Sequence, residues 1–171
     1  MIPMLQAATL ALAAVTAAGQ TAPSGCSAAV NRQFDFWVGE WSVTDLSSGK
    51  AAGQSRIERL YDGCAIRENW TSPGFSGGSL NAYRAADGKW HQMWMDSAGA
   101  VRHFVGGLDP NGRMVLTAEQ PNSAAQGKVR LVRMTFTALP DGGVRQYSDL
   151  SDDGGAHWQT RYDFLYRREA Q

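Results

Sequence analysis

Glu68 and Trp70 stand two residues apart in AIRENWTS, and Gln92, Trp94 and Asp96 alternate in KWHQMWMD. On an extended strand such residues share one face. Each segment therefore sets a titratable or amide side chain beside an indole. The same spacing aligns Arg133 with Val129, Leu131 and Thr135, and Gln146 with Val144, Ser148 and Leu150. Aromatic walls with a few polar anchors are the composition of a small-molecule pocket. Glu68, Trp70, Gln92, Trp94, Arg133 and Gln146 are accordingly the candidate ligand-binding residues. If the ligand is a substrate, Glu68 or Asp96 is the candidate general acid or base, because burial beside an indole raises a carboxyl pKa toward neutrality. The alternative is a filled interior in which Glu68 pairs with Arg133 and the glutamines bond across strands or to buried water. Some such pairing is required, since an unmet buried polar group costs about 1–3 kcal/mol.

Other chemistries find less support. His91, His103 and His157 show no H-x-H or H-E-x-x-H spacing, so no metal site is expected. Among them His103, beside Val101 and Val105, is the one whose phase allows it to face an interior; haem held through one histidine is the alternative to having no cofactor. No phosphate-binding glycine loop is present. Lys plus Arg and Asp plus Glu are each 16, and no basic stripe offers a footprint for phosphates, which excludes nucleic acid as the expected partner. Ser151-x-Asp153-x-Gly155-x-x-Trp158 matches the Asp-box, a hairpin clamp in which Asp153 bonds turn amides and Trp158 docks beneath. A single copy argues against a propeller.

These side chains need strands to position them. From Phe34 onward, turns rich in Gly, Asp and Asn recur, among them Tyr61-Asp62-Gly63, Asp109-Pro110-Asn111-Gly112 and Asp152-Asp153-Gly154-Gly155. Each carries hairpin chemistry. Between them lie about ten short runs of alternating character, which predicts an all-β, single antiparallel up-and-down barrel, closed because closure removes sheet edges. In the last run Trp158, Thr160, Tyr162, Phe164 and Tyr166 share the row expected to face inward. The glycine-rich stretch Pro73–Gly78 is placed where a barrel mouth could be gated, or where loops could meet an envelope partner. A chain of 171 residues supports one such domain.

Residues 1–18, uncharged and apolar from Leu5 to Val15, read as a secretory signal peptide. Residues 19–33 form a linker with a short helical turn from Ala28 to Gln33, and 34–171 form the barrel. No transmembrane span is expected in the mature chain. Two cysteines in an exported chain predict a Cys26–Cys64 disulfide; acylation of Cys26 after Ser24-Gly25 is the alternative. The expected location is periplasmic or secreted.

Gly39-x-Trp41 at the start of the first strand resembles the G-x-W signature of lipocalins and related calycin barrels. In that family the glycine allows close backbone approach, the tryptophan packs across the closed end, and a late basic residue, here Arg167 or Arg168, stacks over it. The ordered set FDFWVGEW, DGCAIRENW, KWHQMWMD, DLSDDGGAHW and YDFLYRR resembles an exported bacterial family with a lipocalin-like barrel, known as a domain of unknown function. The likeness runs from Phe34 to Arg168 and implies a fold and an exported location, with no reaction attached.

Overall fold

The computed structural model describes residues 26–122, 125 and 127–169. The expected signal peptide and the linker up to residue 25 lie outside these residues. Ten strands follow two short 3-10 turns, Ala29–Arg32 and Asp35–Trp37: β1 (Gly39–Asp45), β2 (Lys50–Leu60), β3 (Ala65–Ser72), β4 (Phe75–Arg84), β5 (Lys89–Asp96), β6 (Val101–Leu108), β7 (Met114–Pro121), β8 (Val129–Ala138), β9 (Val144–Ser151) and β10 (Gln159–Arg168). Each pairs antiparallel with its sequence neighbours, and β1 pairs with β10, so the sheet closes into a ten-stranded, lipocalin-like meander barrel.

An alternating meander puts the turns after β2, β4, β6 and β8 at one end and those after β1, β3, β5, β7 and β9 at the other. The N-terminal turns plug the first end. Phe34 and Trp37 are completely buried, their rings 4.9 Å apart, and both meet Phe136, at 5.0 and 4.8 Å. Trp41 donates its indole N–H to the Trp37 carbonyl at 2.9 Å. Arg168 is the register partner of Trp41 and lies 4.5 Å above its ring, whereas Arg167 pairs with Asp141. Gly39, at φ +150°, is required here because a Cβ would run into the Arg168 guanidinium. The aromatic block at the head of the chain is thus the stopper of the barrel.

The stopper is tied down covalently. Cys26 and Cys64 form a disulfide that joins the N-terminal segment to the turn after β2, at the same end. Cys26 is therefore a structural half-cystine, as the pairing of the two cysteines predicts.

Two expected phases are corrected. On β8, Val132, Met134 and Phe136 face inward and Arg133 faces out, opposite to the expected row. Both rows of this strand carry apolar residues, and the row with Met134 and Phe136 offers the larger apolar volume for burial. Outside, Arg133 makes a two-pronged ion pair with Asp149 at 2.5 and 3.0 Å and lies 3.8 Å over Trp158. On β10 the register shifts between Thr160 and Tyr162, a bulge at Arg161. Tyr162, Phe164 and Tyr166 turn inward as expected, while Trp158 falls on the outer wall.

The hairpin leading into β10 is built as a clamp. Asp153 accepts the His157 backbone amide at 2.9 Å and the Ser151 hydroxyl at 2.7 Å, and Trp158 donates to the Gly155 carbonyl at 2.9 Å. The His157 amide and imidazole together hold the Asp153 carboxyl well below its ordinary range.

Candidate functional site: an aromatic cavity open at one end

Behind the stopper, the open half of the barrel holds a cavity of about 430 Å³. Its walls come from inward rows of several strands: Trp70 from β3, Gln92 and Trp94 from β5, Phe104 from β6, Met134 from β8, Gln146 from β9, and Tyr162, Phe164 and Tyr166 from β10. Trp70 stacks on Phe164 at 5.8 Å, and Phe164 on Tyr162 at 4.4 Å. Two inward glycines make room for the indoles. A Cβ on Gly53 would sit 2.7 Å from the Trp70 ring, and one on Gly77 would sit 2.6 Å from that of Trp94. Gly77 is therefore wall and not gate. Most of the 73–78 stretch belongs to β4, and its turn residues Pro73 and Gly74 lie at the open end.

Glu68 is the buried carboxyl of this cavity. It is 5% exposed, accepts hydrogen bonds from Ser79 at 2.9 Å and Ser55 at 3.4 Å, and has no ion-pair partner among the described residues. A chain of donors runs toward it: Gln92 donates to Asn81 at 2.7 Å, and Asn81 donates to Ser79 at 3.0 Å and to the Ile66 carbonyl at 3.1 Å. Two serine hydroxyls do not offset loss of water around a full charge, so burial pushes the Glu68 pKa up to about 7. The expected pairing of Glu68 with Arg133 does not occur, because the two face opposite sides of the wall.

Gln146 is anchored differently. Its carbonyl accepts the Tyr166 hydroxyl at 2.5 Å, and its amide donates to the Tyr162 hydroxyl at 3.1 Å. Burial raises both phenols, Tyr162 to about 12 and Tyr166 well above the ordinary tyrosine value, so both stay neutral. Both expected glutamines thus reach the cavity and are partly spoken for by barrel partners.

The mouth carries charge. Asp96 accepts the Trp94 indole N–H at 2.9 Å, the Ala98 and Ala100 amides at 3.1 Å, and Arg102 at 3.0 Å. The Trp94 hydrogen bond first, with these others, holds its carboxyl below the ordinary range. A carboxylate so fully engaged is a turn anchor and a poor proton shuttle, which removes Asp96 as an acid–base candidate. Arg161, pushed to the rim by the β10 bulge, lies 5.7 Å from the Tyr162 ring and has no carboxylate partner among the described residues.

Of the six expected ligand-binding residues, Glu68, Trp70, Gln92, Trp94 and Gln146 converge on the cavity and Arg133 does not. Arg102 and Arg161 replace it as the nearby cations. Arg102 is the register partner of Trp94 and could have been found by pairing the β5–β6 hairpin; Arg161 depends on a bulge that no residue type announces. His103 also faces out, against the expectation that it could look inward, and no described histidine lines the cavity.

The fold and the site together define a plugged, single-mouthed β-barrel with an aromatic cavity. The chain matches no family model and no curated protein.

Proposed function

We propose that this chain is an exported barrel of the family its motifs resemble, and that it binds one small amphipathic molecule with its apolar body against Trp70, Trp94, Phe104 and Phe164. The observation that carries this is a mouth-accessible aromatic cavity with a buried carboxyl in its wall and, on its rim, an arginine that has no carboxylate partner among the described residues. A cavity of about 430 Å³ falls in the range of small-ligand sites, which runs from about 300 to 1,000 Å³. Protonated Glu68 donates a hydrogen bond to a neutral acceptor on the ligand, and Arg161 receives an anionic group at the mouth.

Anilinonaphthalene sulfonate, an aromatic body with one sulfonate, tests this reading. Its fluorescence is expected to rise on addition of the protein, with one site per chain. Arg161→Ala weakens that site about fivefold, the worth of about 1 kcal/mol for an exposed charge pair. Arg133→Met, on the outer wall, leaves it unchanged. No saturable enhancement, or equal loss from the two substitutions, would reject the cavity as a binding site.

A further inference from the structure

The outer wall of β5 and β6 carries a separate cluster, on the opposite side of the sheet from the cavity. His91 Nδ1 and His103 Nε2 lie 3.0 Å apart, with the rings stacked at 5.2 Å. His91 Nε2 lies 2.9 Å from the Asp87 carboxylate. Asp87 can only accept, so Nε2 carries the proton and Nδ1 presents a lone pair toward His103. A carboxylate that fixes one imidazole nitrogen as N–H and frees the other is the second-layer arrangement found behind metal-bound histidines.

The third and fourth donors on this face are thioethers. Met93 is the register partner of His103, Met95 follows two residues on, and both are exposed. Met93 is 38% and Met95 50% exposed, so their thioethers belong to the surface and not to the core. Among the described residues no group of three His, Cys, Asp or Glu side chains is placed to hold a metal, so a divalent site of the ordinary kind is missing. Imidazole with thioether instead suits a soft monovalent ion.

We infer that His91, His103 and Met93, with Met95 alongside, form a surface site for Cu(I) or its analogue Ag(I). The imidazole nitrogens stand about 0.3–0.5 Å closer than two ligands on one ion with bonds of about 2 Å, a gap the exposed His103 ring closes by a small swing as its proton exchanges through water from Nε2 to Nδ1, leaving both imidazoles neutral. Both cysteines are locked in the disulfide, so no thiolate competes for the ion. A separation of twelve positions conceals the histidine pair from any reading of local spacing.

The test is titration of the intact, disulfide-bonded chain with Cu(I) held reduced by ascorbate, against bicinchoninate as competing chelator, with Zn(II) in parallel. One Cu(I) per chain is expected. His103→Ala and Met93→Leu should each weaken it at least tenfold, and Zn(II) should bind far more weakly. Both positions are exposed, and unchanged circular dichroism confirms that the variants fold. No competitive binding, binding indifferent to His103→Ala, or binding indifferent to Met93→Leu would each overturn the assignment. The last of these would leave an ordinary bis-imidazole contact with no preference for a soft ion.

Discussion

Replacing Glu68 by glutamine is expected to make the barrel's stability less dependent on pH, by about 3 kcal/mol between pH 4.5 and 7. The sign follows from burial. Folded Glu68 holds its proton up to about pH 7, while in the unfolded chain it ionises near 4.5. Between those values the unfolded state has lost a proton that the folded state retains, so the wild type loses stability as pH rises and levels off above 7. Two and a half pH units at 1.36 kcal/mol each give the stated size. Glutamine keeps the hydrogen-bonding shape and removes the titration. Urea midpoints of both proteins at several pH values, taken as a difference, isolate Glu68. Carboxylates with lowered pKa, such as Asp96 and Asp141, act in the opposite sense and at lower pH, and they are common to both proteins. Parallel curves would mean that Glu68 is hydrated or paired. Sulfonate-probe binding should follow the same group, weakening from pH 5.5 to 8 in the wild type and not in Glu68→Gln.

The second large effect lies in the stopper. Trp37→Ala is expected to cost about 3–5 kcal/mol, the range for emptying a buried aromatic site, because Phe34, Phe136 and Tyr166 all lose a ring neighbour at once. Trp37→Phe should cost under about 1.5 kcal/mol. The Trp37 indole N–H is buried and finds no partner among the described residues, so removing it relieves a desolvation penalty that offsets part of the lost volume. Chemical denaturation of the two variants checks both figures. A small loss for alanine would show that the N-terminal turns are only loosely seated and that the barrel is open at both ends.

Much of this architecture is legible in residue order, for identifiable reasons. Turns such as Asp109–Gly112 announce themselves because few residues tolerate their backbone angles, and ten strands follow from their spacing. Rows such as Trp90, Gln92 and Trp94 are legible because their other face, Lys89, His91 and Met93, is more polar or more exposed. The β8 strand is harder to read, because Val129 and Leu131 give its outer row an apolar start although Val132, Met134 and Phe136 carry the larger apolar volume. Outside, Arg133 is held by Asp149 and Trp158, brought there by pairing with β9 and by the clamp hairpin. The β10 bulge hides Arg161 for a similar reason, since an extra residue leaves no mark on composition. The histidine pair and the donor chain from Gln92 to Glu68 are cross-strand objects, visible only once register is known.

The most direct test of ligand binding is native mass spectrometry of the protein purified gently from its own host. A single stoichiometric adduct is expected, lost on acid denaturation and absent from a variant whose cavity is filled by Ala52→Trp. A bare mass, together with Trp70 and Trp94 shielded from acrylamide quenching, would show a sealed interior and contradict the proposed function.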